Sequence, residues 1–220
     1  MYTASASSHL SKASPNSRAA PIVFVVDDDV SVRLSLELLI QNAGWQPEVF
    51  ADAQQFLSRP RVLAPSCMVL DVTLPDLSGL DLQRLVADRI EMPIIFIAAY
   101  ADVSTTVRAM KAGAVEFLTK PFRNEVLLRS IRDAIELSHA VLRHEAEIQT
   151  LRDRYASLSR REREVMGLVV SGQMNKQVGC ELGISEITVQ AHRGKVMRKM
   201  KADSLAGLVR MDARLGGSAV

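Results

Sequence analysis

From Pro21 onward, short apolar runs alternate with helical patterns. The runs are Ile22-Val23-Phe24-Val25-Val26, residues 46–50, Cys67-Met68-Val69-Leu70, Ile94-Ile95-Phe96-Ile97 and residues 115–118. Their length and β-branched content predict strands, most of them buried on both faces as in a parallel sheet; the 46–50 run is the weakest. Between them, patterns with helical spacing predict helices over 30–43, 54–58, 80–88 and 103–111. In the first, Val32, Leu36, Leu39, Ile40 and Ala43 share one face, and Gly44 stands just past its end. Five strand–helix units with short links predict a doubly wound, five-stranded parallel α/β sheet.

The last helix of that series has no stop signal, because no Gly or Pro occurs between Pro121 and Gly167. A continuous helix over 124–156 would extend about 50 Å. Val141, Ile148, Leu151, Tyr155 and Leu158 follow at spacings of 7, 3, 4 and 3, with His144 in the missing seam position. Two readings stay open for this stem: a short coiled coil with a second copy, or a monomeric linker helix. Beyond Leu158 the pattern is all helical. Ser159 with Glu162 forms a capping box, a second helix starts near Asn175, Ser185 caps a third over 186–200, and Ser204 caps a fourth to about Leu215. Two short helices joined by Gly183-Ile184-Ser185 form a helix-turn-helix pattern. On 186–200, Ile187, Val189, Val196 and Met200 are expected to pack inward. Domain bounds follow: a disordered leader over 1–20, an α/β domain over 21–138, the linker helix over 139–156 and a helical domain over 157–220.

Composition is ordinary for a folded chain, at 48% hydrophobic and 24% charged, with a net charge of +2. The distribution says more. Residues 1–138 hold 13 Lys+Arg against 16 Asp+Glu, and residues 139–220 hold 14 against 9. An acidic front and a basic back suggest separate tasks, with an anionic partner for the second. The two cysteines, Cys67 and Cys180, fall one in each half, so a reduced, cytoplasmic chain is expected. No apolar stretch reaches the ~18 residues of a membrane span, and the Ser/Ala-rich leader lacks a signal-peptide core.

The chemistry lies at the ends of the apolar runs. Asp27-Asp28-Asp29 follow the first, Asp71 follows the third, and Lys120-Pro121 follows the fifth. In an open parallel sheet, ligands bind beyond the carboxyl ends of the strands. If these strands are neighbours, several carboxylates and one ammonium converge on a pocket suited to a divalent cation and a phosphoryl group. Asp29 reads simply as a helix cap.

In Val-Val-Asp-Asp-Asp, in Leu-Asp-Val-Thr-Leu-Pro with Gly79, and in Lys-Pro-Phe at 120–122, residues 20–138 resemble the CheY-like receiver domain of two-component response regulators. The resemblance implies that Asp71 is the phosphoacceptor, served by a sensor histidine kinase. It implies that Mg²⁺ (or Mn²⁺) is bound by Asp28, Asp71 and the backbone carbonyl of Thr73, with Asp27 acting mainly through water, and that Lys120 contacts the phosphate. Thr73 and Tyr100 fall where the family tunes dephosphorylation; beyond phosphoryl transfer and autodephosphorylation at Asp71, no enzyme activity is implied. One departure stands out. The switch hydroxyl of most receivers falls here on Ala98, while the aromatic partner is present as Phe117. Coupling between Asp71 and the output surface (99–111 and 115–117) is therefore expected to be weakened or altered.

Residues 155–215 resemble the C-terminal helix-turn-helix of the FixJ/NarL branch, also found in LuxR-type regulators. The matching residues are Leu158-Ser159 with Glu162, Val165-Met166, Gly172, Asn175-Lys176, Leu182 with Ile184-Ser185, Thr188-Val189, His192, Val196-Met197 and Lys199-Met200. A recognition helix over 186–200 would present Thr188, Gln190, Ala191, Arg193 and Lys195 to double-stranded DNA. Asn175 and Lys176 are expected on phosphates. The resemblance implies a homodimer when active and RNA polymerase as a further partner. Two other functions stand beside a phosphorylation-controlled transcription factor. One is a DNA-binding regulator largely independent of phosphorylation, motivated by Ala98. The other is a phosphohydrolase, which would need an acid two residues after its nucleophile, where this chain has Thr73.

Overall fold

The computed structural model describes residues 20–100 and 102–216. The leader expected over 1–20 lies, apart from Ala20, outside the described residues, as does residue 101 of the expected output surface. The chain divides into two compact units, one up to His139 and one from Ala140.

In the first unit, β1 (Ile22–Val26), α1 (Val30–Asn42), β2 (Gln46–Phe50), α2 (Ala53–Ser58), β3 (Ser66–Asp71), α3 (Gly79–Leu85), β4 (Ile94–Ala98), α4 (Val103–Lys111) and β5 (Glu116–Thr119) follow in order. The sheet is five-stranded, in the order β2-β1-β3-β4-β5, and every pairing is parallel. β1, β3 and β4 are buried along their whole length, so their runs are continuously apolar rather than alternating. Alternate side chains feed two cores. Phe24, Val26, Met68, Leu70 and Phe96 meet Phe56 and Leu82 on one face. Val23, Val25, Cys67, Val69 and Ile95 meet Leu36, Ile40, Leu127 and Ile131 on the other. Strand β2 lies at an edge, where Pro47 costs no ladder bond.

At the opposite rim of the sheet, the hydroxyl of buried Ser138 accepts from the Ser66 N–H at 3.0 Å and donates to the Glu91 carbonyl. Buried Glu91 is held by two hydrogen bonds from Arg61, at 2.9 and 2.8 Å. This arrangement fixes the helix that follows β5 against the starts of β3 and β4.

That helix, α5 (Asn124–Ala156), runs for 33 residues from the first unit into the second. The second unit continues with α6 (Arg160–Val170), α7 (Asn175–Leu182), α8 (Glu186–Met200) and α9 (Leu205–Arg214). The capping box of Ser159 and Glu162 is formed. Between α7 and α8, Gly183 takes φ of 64°. A Cβ on Gly179 would lie 2.8 Å from the Ile184 carbonyl oxygen, so the tight turn requires glycine there as well.

One expectation needs correction, and one open reading is narrowed. Ile187 does not pack inward; it is 81% exposed, while Val189, Val196 and Met200 are buried. Residues two apart on a helix point to nearly opposite sides, so Val189 and Ile187 cannot share the core face. The stem seam is also partly used within the chain. Leu158 belongs to the core of the helical unit, Tyr155 packs against it and Leu151 is buried. Those positions are consumed locally rather than left for a second copy.

Two outcomes follow. Ser138→Ala leaves the Ser66 N–H and the Glu91 carbonyl buried without this partner and is expected to destabilise the α/β unit by about 1–3 kcal/mol. Trp45, the chain's one tryptophan, lies in that unit, so its fluorescence in a urea titration reads this loss selectively. In the helical unit, Glu162 is held to a pKa of about 2, from an ordinary 4.5, by the Lys199 ammonium at 2.6 Å and the Ser159 N–H. The depressed value means that its stabilisation is present above pH 4.5 and disappears as pH falls toward 2. Exchange protection of the first α6 amides is therefore expected to be higher in wild type than in Glu162→Gln near neutrality, and to converge as pH approaches 2.

Candidate functional site

The sheet register carries Asp27, Asp71, Ala98 and Lys120 to the carboxyl ends of adjacent strands. Val26 pairs with Leu70, Asp71 with Ile97, and Ala98 with Thr119. Lys120 N–H also donates to the Ala98 carbonyl at 2.8 Å. From this frame the Lys120 ammonium reaches Asp27 Oδ2 at 2.7 Å and Asp71 Oδ2 at 2.5 Å. The other oxygens are also held: Asp27 Oδ1 accepts the Asp29 N–H, and Asp71 Oδ1 accepts the Thr73 N–H, both at 2.9 Å. Asp28 is exposed, and its carboxylate approaches those of Asp27 and Asp71, with one oxygen of each lying within 4.8 Å of the others. Asp29 caps α1 through the Ser31 and Val32 N–H groups.

Electrostatics follow from burial. Asp27 is fully buried. Desolvation raises its pKa, against the Lys120 and Asp29 hydrogen bonds that favour the carboxylate, and the Asp71 charge adds to the rise. Burial also works against the charged form of Lys120, but Asp27 and Asp71 outweigh it and hold the ammonium above its ordinary pKa. Three carboxylates carry more negative charge than one ammonium cancels. Oxygen donors grouped on one partly open side suit a hard divalent cation that retains waters.

Around this cluster, Ala98 is buried and Phe117 stacks on Phe96, with ring centroids 6.0 Å apart. Tyr100 is 94% exposed, and Thr73 is exposed beside Asp71. Gly79 closes the other side. Its N–H donates to the Val72 carbonyl at 2.9 Å, and a Cβ on it would collide with the Asp71 carbonyl oxygen.

In the helical unit, Gln190, Ala191 and Lys195 are exposed along α8, and Lys176 is exposed at the start of α7. Thr188 is half-buried and shares a 2.8 Å hydroxyl contact with the cap Ser185. Arg193 donates to Asn175 Oδ1 at 2.7 Å, so these two candidates are tied to each other. Sequence reasoning underrated two features. Asp27 sits at the heart of the ion pair, which its place at the end of the buried β1 run could have signalled. Ile187 stands on the open face of α8, which counting helical angles from Val189 could have found.

Residues 23–132 match the response regulator receiver domain family, and residues 156–212 match the luxR family of bacterial regulatory proteins. The chain is 48% identical over 199 residues to nodulation protein W of Bradyrhizobium diazoefficiens, covering 90% of this chain and 88% of that one. It is 43% identical over 198 residues to response regulator protein TmoT of Ectopseudomonas mendocina, covering 90% of each. Among solved structures, response regulator StyR aligns with a TM-score of 0.80 at 43% identity, over 89% of this chain and all of that one, 100%.

Gly79→Ala forces the β3–α3 loop away from the Asp71 backbone and is expected to cost about 1–3 kcal/mol, as overpacking does. Trp45 fluorescence in urea measures the loss. An unchanged midpoint would show that the loop yields freely.

Proposed function

The chain belongs to the response regulators in which a receiver domain is joined to a luxR-family DNA-binding domain, and on that premise we propose that Asp71 is its phosphoacceptor. The protein is a phosphorylation-dependent transcription regulator, with a sensor kinase and DNA as its partners, and its family is not one of classical enzymes. The observation that carries the residue-level reading is the Lys120 ammonium shared by Asp27 and Asp71, beside the exposed Asp28.

In this reading an Asp71 carboxylate oxygen attacks the phosphorus of a kinase phosphohistidine. The new P–O bond forms as the P–N bond breaks, and the imidazole nitrogen keeps the electron pair and takes up a proton. The Asp71–Thr73 hydrogen bond orients the carboxylate, and Lys120 turns its charge from the aspartates to the arriving phosphate. Asp27, Asp28, Asp71 and the Thr73 carbonyl would hold Mg²⁺ (or Mn²⁺), which supplies the neutralising charge that phosphoryl oxygens demand. Water later cleaves the acyl phosphate, at a rate set by the side chains of Thr73 and Tyr100.

Ala98 offers no hydroxyl to the phosphate, so the signal to Phe117 and the 99–111 surface travels without that hydrogen bond and is weaker. The DNA-facing residues are Gln190, Ala191 and Lys195 on α8, with Lys176 and the tied Asn175–Arg193 pair beside them. The active species is a homodimer that engages RNA polymerase from the cytoplasm. Among the described residues no helix is long and apolar enough to cross a membrane.

A promoter reporter tests this. Asp71→Asn is expected to abolish kinase-dependent induction, while Lys176→Ala lowers DNA affinity and flattens its salt dependence by about one unit of slope. Full induction by Asp71→Asn would favour a regulator that ignores phosphate. Ala98→Thr is expected to strengthen the response to a phosphoryl mimic.

A further inference from the structure

Resting on the DNA-binding reading above, we infer that Ile187 reads the 5-methyl group of thymine in the major groove and sets an A·T preference in the half-site.

Ile187 is the second residue of α8 and 81% exposed, more than any other large apolar side chain of the helical unit among the described residues. It does not stand alone. Ile187, Gln190, Ala191 and Gly194 follow at the spacing that places residues on one helical face, and all four are exposed. The stripe carries no charge. Arg198 continues the same face one turn further, Lys195 lies to its side, and Lys176 is exposed at the start of the preceding helix.

The profile of the stripe matters as much as its polarity. A Cβ on Gly194 would meet no atom within 4 Å, so the helix surface is notched there and open to close approach. Isoleucine is stiff at χ1 in a helix, so its methyl groups are presented in one orientation at little entropic cost. Ser185 caps α8 through the Thr188 N–H at 3.1 Å, which fixes the turn that bears Ile187.

An apolar group followed by an amide, with cations nearby, complements one kind of groove edge. The thymine methyl is the one apolar group that base edges offer in the major groove, and its partner adenine offers N6 and N7 to an amide such as Gln190. The first turns of a recognition helix are those that meet base edges. On the free protein the exposed side chain gains nothing from burial; against a methyl group it does.

The test uses the full-length chain. DNA bound from a random pool gives the preferred half-site. Each thymine in it is then replaced by deoxyuridine, which lacks the methyl group alone, and affinities are read by fluorescence anisotropy at one salt concentration. Wild type is expected to lose about fourfold at one thymine or two adjacent ones, the worth of one buried methyl. Ile187→Ala is expected to bind the thymine duplex as wild type binds the deoxyuridine duplex, to show no further loss there, and to keep the wild-type salt slope. Ile187→Val is expected to keep part of the discrimination. Equal sensitivity in wild type and Ile187→Ala, or a half-site whose thymine methyl groups do not matter, overturns the inference while leaving DNA binding intact. A pool with no enriched sequence overturns the DNA-binding reading and this inference with it.

Discussion

One ammonium serving two buried carboxylates is the constraint on which the α/β unit is built. Asp27 and Asp71 end adjacent strands that are buried along their whole length, and both carboxylates are themselves buried. Burying both without a cation would force one to take a proton. Lys120 removes that need, and it arrives from β5, two strands away from β3 in the order of the sheet. The polar site is thus a consequence of strand order: a parallel sheet that runs β1-β3-β4-β5 brings these three chain-distant groups to one rim. The same geometry leaves Asp28 exposed and outside the ion pair to which the single ammonium is committed. The solvent side of the site thus presents grouped oxygen donors, an acidic pocket of the kind at which receiver domains bind a divalent cation.

Most of the architecture was legible because its signals are local. Continuous apolar runs gave the buried strands, and the absence of Gly and Pro after Pro121 gave the unbroken helix Asn124–Ala156. Caps at Ser159, Ser185 and Ser204 fixed helix starts to within a residue or so. The charged residues at the strand ends could be named because each directly follows its run, and the structure brings Asp27, Asp28, Asp71 and Lys120 together.

What was not legible depends on contacts between distant segments. The Ser138 hydroxyl satisfies backbone groups 72 and 47 residues away, and no pattern along the chain announces such a partner. The stem shows the same limit: its heptad spacing is compatible with a second copy, yet Tyr155 and Leu158 are taken up by the helical core. Ile187 was misplaced for a different reason. An apolar residue in an amphipathic helix is usually core, and here the helix turns it outward into the face with Gln190 and Ala191.

The claim that this acidic rim is the phosphoryl-accepting centre is tested most directly by locating the phosphate. The full-length chain is incubated with a small phosphodonor with and without Mg²⁺, the acyl phosphate is trapped by borohydride reduction, and the reduced residue is found by peptide mass mapping. The account predicts modification at Asp71 alone, dependent on the divalent cation and absent in Lys120→Met. Modification at a different carboxylate, or none in the presence of Mg²⁺ and donor, would contradict it.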